Sequence, residues 1–174
     1  FKVFTPFWRN AEQKFLGSPP SKNYSIKKKT KSLSFFKGCI EPKDILPRKN
    51  WYKKFEKYWK VSEEESKKIL KNLIDSKIKD YGTARDYPSV EGTSKLSPYI
   101  KHGQIHVNTI WKKCSEIKSK GIGYRKYINE LGWREFSHSL INYFPEFLKG
   151  NYRKEFDKYP WVKNDKFLNA WKKG

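Results

Sequence analysis

In the stretch "SEEESKKILKNLIDSKIKDY", Ile69, Leu70, Leu73, Ile74 and Ile78 recur at the intervals that line one face of an α-helix. Ser62 followed by Glu65 forms a capping box. Glu63, Glu64 and Glu65 put negative charge in the first turn and Lys77 and Lys79 positive charge in the last, the order the helix dipole favours. The pattern therefore predicts an amphipathic helix here. Tyr81, Gly82 and "RDYPSVEGTSKLSPY" (residues 85–99) then form a loop, and a helix starts at Ser97-Pro98 and ends at His102-Gly103. A further helix spans about Val107 to Lys118 with Ile110, Trp111, Cys114 and Ile117 on one side. A long one covers residues 124–144 despite Gly132, with Ile128, Leu131, Phe136 and Leu140 as core contacts. The last segment holds a Pro-broken turn and the start of another helix. The opening "FKVFTPF" alternates like a strand and is broken by Pro6. From about residue 8 to residue 50, Gly17, Pro19, Pro20, Pro42 and Pro47 punctuate a weakly periodic stretch that reads as a connector. The chain is mostly α, with no internal repeat.

Length and charge narrow the picture. With 174 residues there is room for one domain with a real core plus a tail. The 39 basic and 18 acidic residues leave a net charge of 39 − 18 = +21, which favours polyanionic partners, nucleic acid first. A drift in base composition also produces a Lys-, Asn- and Ile-rich chain, so position must decide what the charge is for. The "KKKTK" run at residues 27–31 reads as a solvated charge run or a phosphate contact. Aromatic residues make up 17% of a very polar chain, including seven Trp, more than a small core uses. Cys39 and Cys114 are too few and too far apart for a disulfide framework or a zinc site, compatible with a reducing cytoplasm. No long apolar run and no signal-peptide pattern points to a membrane or to secretion. The chain begins without Met and reads as a fragment. His102, His106 and His138 lack metal-ligand spacing, so no metal is expected, and no nucleophile, base and orienter set for hydrolysis is present. An enzyme built on this chain would need a cofactor to carry its chemistry.

Two constellations go beyond structural need. In "EGTSKLSPY", an N-cap accounts for Ser97 but not for Gly92, Thr93 and Ser94. A glycine-permitted turn with hydroxyls at a helix N-terminus also makes an anion cradle for a phosphate or pyrophosphate. In the long helix, Tyr127, Glu130, Trp133, Arg134 and Ser137 share a face distinct from the aliphatic one. The bland account of that face is an intrahelical Glu130–Arg134 pair beside a core tryptophan. Gly132, costing about 1 kcal/mol in a helix interior, implies close packing against the backbone there.

Together "RDYP…EGTSKLSPYI" and "NELGWREFSHSLINYFP" resemble the flavin-binding domain of DNA photolyases and the related cryptochromes, in order and separation. "YPWVKNDKFLNAWKKG" is similar to the segment before that family's second group of flavin contacts, and "KVFTPFWR" to the end of its antenna domain. The resemblance implies an antenna-domain end and interdomain linker over residues 1–50, and the first half of an all-helical FAD-binding domain over 51–174. It further implies a light-driven enzyme of the class I type, a monomer in the cytoplasm, which flips a cyclobutane pyrimidine dimer out of UV-damaged DNA. The dimer is split by electron transfer from excited reduced FAD. A second chromophore of folate or deazaflavin type belongs to the antenna domain. By matching position, Tyr81, Thr93, Ser94, Lys95, Leu96, Ser97, Tyr127 and Arg134 contact FAD. Lys95 stands where family members commonly have Arg, which keeps charge but not bidentate geometry. Glu130 hydrogen-bonds the damaged bases, Trp133 is the ring on which the flipped dimer packs, and Arg85, Arg134 and Ser137 face DNA. Trp161 resembles the outermost member of the tryptophan chain that photoreduces the flavin.

"ELGWREF" favours repair over signalling, because plant-type cryptochromes tend to carry a non-aromatic residue at the position of Trp133. The rival readings are a cryptochrome-like FAD photoreceptor without repair, and a helical nucleic-acid-binding module that uses the charge alone with no cofactor.

Overall fold

The computed structural model describes residues 1–15, 45–47 and 49–174. The "KKKTK" run, Cys39 and most of the expected connector lie outside the described residues. Among the described residues there are seven α-helices and no strand: α1 (Phe4–Phe15), α2 (Glu63–Asn72), α3 (Tyr81–Ala84), α4 (Ser97–Lys101), α5 (Val107–Ser115), α6 (Ile122–Tyr143) and α7 (Asp165–Lys173). Short 3-10 segments cover Asn50–Lys57, Pro145–Leu148 and Lys154–Lys158. None of the described helices is long and apolar enough to cross a membrane. No group of three or more metal-ligating side chains is found among the described residues. The chain divides into two compact units, one of Asn10–Leu131 and one of Phe1–Arg9 with Gly132–Gly174.

In the unit of Asn10–Leu131, α2 forms as its sequence dictates: the Ser62 hydroxyl accepts from the Glu65 amide at 3.0 Å, and Leu70 is buried. The helix then widens into a π-turn over Leu73–Lys77, where the Ile78 amide reaches the Leu73 carbonyl at 2.8 Å and the Ser76 hydroxyl donates to the Asn72 carbonyl at 2.7 Å. Leu73 and Ile78 are buried on either side of the widened turn. Fully buried Ser66 donates to the Glu63 carbonyl at 2.6 Å and to the Gln104 carbonyl at 3.3 Å, which ties α2 to the loop before α5. Tyr99 on α4 donates to the Lys60 carbonyl at 2.9 Å. On α5, Ile110, Trp111 and Cys114 are the buried face, as the spacing predicts, and the helix stops at Ser115 rather than Lys118. His106 has the structural role of its N-cap, its Nδ1 accepting from the Asn108 amide at 3.1 Å. Tyr81 and Gly82, expected in a loop, begin the single turn α3.

The other unit corrects the reading of the N-terminus. "FKVFTPF" is not a strand: α1 starts at Phe4 and runs through residues expected to be a connector. Pro6 does not break it because it sits in the first turn, where an amide has no intrahelical acceptor to lose. The helical backbone then puts Phe4, Phe7 and Trp8 on one side, an i, i+3, i+4 set that a period-two reading conceals. Trp8 is buried, and its ring lies 2.6–2.7 Å from where a Cβ on Gly132 would be, so the close approach anticipated at Gly132 is made by an indole. Tyr152 packs edge-on against both Phe144 and Phe147, each at 5.6 Å between centroids. α7 is capped by Asn164, whose side-chain oxygen accepts from the Phe167 amide at 3.1 Å, and none of its residues is buried.

Candidate functional site

Tyr81, Arg85, Ser94, Tyr127 and Glu130 come together in the unit of Asn10–Leu131. The means are two close approaches of backbone. Gly92 lies so near the end of α3 that a Cβ there would stand 2.2 Å from the Ala84 carbonyl carbon and oxygen. Gly123 lies so near residues 78–79 that a Cβ would stand 2.1 Å from the Ile78 carbonyl oxygen. Gly92 thus serves by lacking a side chain, not by an unusual φ. The unusual backbone falls at Lys95, with φ 55°, the only non-glycine residue in the left-handed region among the described residues.

That left-handed residue is followed by Leu96 at φ −85°, ψ −15°, in right-handed helical backbone. A change of hand between consecutive residues turns neighbouring N–H groups toward one side, the geometry of an anion-binding nest. It also moves the start of α4. Leu96 rather than Ser97 is the N-cap residue, Ser97 is already helical, and its hydroxyl makes no capping bond. The Ser94 hydroxyl instead accepts from the Leu96 amide at 3.3 Å. The Leu96 side chain is wholly buried, and the Lys95 ammonium pairs with Glu91 at 2.6 Å. Thr93 and Ser97 are exposed.

Tyr127 departs from the face expected of it. It is buried with Ile128 and Leu131, its ring edge-on to Tyr81 at 5.0 Å. Its hydroxyl is buried with no hydrogen-bond partner; Ser94 stands beside it without hydrogen-bond geometry. Burial pushes the phenol pKa upward, so the group is held as a neutral donor in search of an acceptor. Burial raises the Tyr81 pKa too, against the opposing pull of Arg85. The Arg85 guanidinium lies over the Tyr81 ring at 5.7 Å and pairs with the Glu130 carboxylate, which raises the arginine's pKa further. Glu130 thus pairs with a residue from a distant loop and not with Arg134, as the intrahelical account had it. Arg134 pairs with its neighbour Glu135.

In the unit of Phe1–Arg9 and Gly132–Gly174, Trp133 stacks on Phe4 at 3.7 Å between ring centroids with planes 10° apart, and meets Phe136 edge-on at 5.8 Å. It keeps 46% of its surface exposed. The exposed Ser137 hydroxyl donates back to the Trp133 carbonyl at 2.9 Å. Trp161 is 71% exposed, packs against Tyr159 at 4.9 Å and donates from Nε1 to the Phe156 carbonyl at 3.3 Å. The residue that pattern reading missed is Phe4; the signal was its spacing to Phe7 and Trp8, legible only once the segment is taken as helical.

An orphaned buried phenol, a hydroxyl-bearing run and a nest of amides fit a ligand that carries both hydrogen-bonding groups and phosphate. Such a set of groups in an all-helical frame defines a candidate binding site for a phosphate-bearing ligand. Residues 127–174 match the family model for the FAD binding domain of DNA photolyase. The whole chain aligns with the deoxyribodipyrimidine photo-lyase of Agrobacterium fabrum at 31% identity, covering 37% of that protein. It aligns with that of Escherichia coli at 29%, again over 37% of its length. A solved bacterial class III photolyase from Agrobacterium tumefaciens superposes on 98% of the chain with a TM-score of 0.71 and 28% identity, 36% of that structure being covered. Over residues 127–174 the chain matches the FAD-binding domain of DNA photolyases, and over its whole length it is similar to deoxyribodipyrimidine photo-lyases in sequence and to a photolyase in fold. It spans little more than a third of the length of the curated relatives it matches.

Proposed function

We propose that this chain is the end of the antenna domain with the interdomain linker (residues 1–50) and the first half of the FAD domain (51–174) of a deoxyribodipyrimidine photo-lyase, a carbon–carbon lyase that repairs cyclobutane pyrimidine dimers in DNA with light. The observation that carries the reading is Trp133, an indole with one face backed by Phe4 and nearly half its surface open. A flat, exposed aromatic surface suits a base taken out of its stack. Held by Tyr81, Tyr127 and the run Thr93–Ser97, reduced FAD would supply light-driven electron transfer to the lesion.

The chain's own residues hold and orient. Tyr127 offers its unpartnered hydroxyl to the cofactor, beside Tyr81 and Ser94. The Lys95 and Ser97 amides, with the Thr93 and Ser97 hydroxyls, receive a phosphate, the Leu96 amide being held by the Ser94 hydroxyl, so Lys95 contributes backbone rather than its ammonium. Arg134, by its place in the motif, is assigned to the cofactor and to DNA. Arg85 fixes the Glu130 carboxylate through their ion pair and, with Ser137, meets the DNA; Glu130 accepts from the damaged bases. Trp161, solvent-exposed, is the outer end of an electron path to the flavin. The whole protein is a cytoplasmic monomer with a folate- or deazaflavin-type antenna in its preceding domain.

The test is made on the full-length protein. Purified in the dark, it is expected to carry flavin absorbance, and on illumination in the reduced state it should restore thymines from dimers in damaged DNA. A photoreceptor would leave those lesions intact, and a colourless preparation would exclude both photoactive readings. Trp133→Ala is expected to weaken binding of lesion DNA by about 1–3 kcal/mol through lost stacking while flavin content holds. Unchanged discrimination between damaged and intact duplex would remove Trp133 from the site.

A further inference from the structure

Trp133 does not stand alone. Phe4 and Trp8, one turn apart on α1, have nearly parallel rings, 6.1 Å between centroids and 13° between planes. Trp8 seats against the bare backbone at Gly132, and Phe4 lies flat on the next residue, Trp133. Phe136 closes the group edge-on to Phe4 at 5.9 Å and to Trp133 at 5.8 Å, and Phe7 leans on Phe136 at 5.3 Å. One face of the Trp133 indole is therefore covered by Phe4, while the residue keeps 46% of its surface exposed.

We propose that Phe4 is a positioning residue for lesion recognition. By stacking on the back of Trp133 it fixes the plane of that indole, so that the front face is presented as a rigid shelf for the extruded pyrimidine pair. This rests on the reading of Trp133 as the ring that packs the lesion. The physical basis is preorganisation. A half-exposed tryptophan with nothing behind it samples several rotamers and must be ordered when a ligand arrives, whereas one already sandwiched loses little freedom. The Gly132–Trp8 seat is the fixed point that lets α1 hold Phe4 at this distance. Phe4 has no polar side-chain atom with which to bind a base or a cofactor by hydrogen bonding, and its part in recognition is through the ring it stacks on, Trp133.

The experiment measures the affinity of the flavin-loaded full-length protein for a duplex with one thymine dimer and for the same duplex undamaged. Phe4→Leu is expected to lower the ratio of the two affinities about three- to tenfold, the scale of ordering one side chain. Flavin content and affinity for undamaged DNA should stay as they were. Phe4→Met, unbranched and ringless, should behave like Phe4→Leu, and Phe4→Tyr should restore the ratio. In a Trp133→Ala background Phe4→Leu should have no further effect. An unchanged or improved ratio in both ringless variants overturns the proposal, and improvement would mean that Phe4 competes with the lesion. It is equally overturned by an equal loss with and without Trp133, or by flavin lost in step with discrimination in Phe4→Leu and Phe4→Met. If Trp133→Ala itself leaves the ratio unchanged, the reading of Trp133 fails, a result distinct from a failure at Phe4 alone.

Discussion

Cys114 sits on α5 with none of its surface exposed, and burial pushes its thiol pKa from 9.0 up to about 12. The same burial raises Tyr124 and Tyr127. For an acid held neutral in the folded state the sign is definite. Below about pH 9 the thiol is protonated whether the chain is folded or not, and it contributes no pH dependence. Above that the unfolded chain gives up its proton while the folded one keeps it, so stability falls as pH rises toward 12. The slope approaches about 1.4 kcal/mol per pH unit, or roughly 2–3 kcal/mol lost by pH 11. Lysines titrate over the same range, so the measurement is the difference between wild type and Cys114→Ala in denaturant unfolding at pH 8 and pH 11. The wild type is expected to lose more, and parallel losses would show that the thiol ionises while buried. In the folded protein near neutral pH the same shift leaves Cys114 inert to thiol reagents.

Among the elements, the turn from α3 to α4 depends most on a single atom being absent. Gly92→Ala would drive a methyl to 2.2 Å from the Ala84 backbone, which can retreat only by moving α3. The expected cost is about 2–4 kcal/mol in unfolding free energy. Flavin retention should fall with it, since α3 and this turn carry Tyr81, Arg85 and the hydroxyl run. Gly121→Ala, with nothing within 4 Å, is the control and should leave both within error. How far such features could be read in advance follows from their range along the chain. The Ser62–Glu65 cap and the buried Leu70, Leu73, Ile110 and Cys114 are local patterns and were legible. So was the need for close packing at Gly132, because a glycine in a helix interior is costly, although its partner Trp8 lies far off in sequence. The pairing of Arg85 with Glu130 was not legible, since i, i+4 logic offered Arg134 first. Nor was the left-handed Lys95, since propensity assigns that backbone to the glycine nearby. Phe4 was hidden by a seven-residue alternation too short to distinguish a strand from a helix start.

At the scale of the whole molecule, a charge of +21 and a single indole shelf answer different questions about DNA. Arg85, Arg125 and Arg134 are each engaged with a carboxylate, of Glu130, Glu12 and Glu135. On the proposed function, the remaining phosphate contacts would fall chiefly to lysines, which act as hydrated point charges rather than bidentate forks. Binding of that kind is driven by counterion release and would carry no information about damage. The stacking proposed at Trp133 is not ionic and would carry it, so the two contributions should separate with salt. Between about 0.05 and 0.2 M salt, affinity of the full-length protein for undamaged duplex should fall by about three orders of magnitude if some six phosphates are contacted. The ratio of lesion to undamaged affinity should stay nearly constant, because screening acts on the phosphate contacts common to both. Fluorescence anisotropy titrations with the two duplexes across that range measure both quantities. A ratio that collapsed with salt would mean that discrimination is electrostatic, carried by the Arg85–Glu130 pair, and that the aromatic shelf contributes little to finding the lesion.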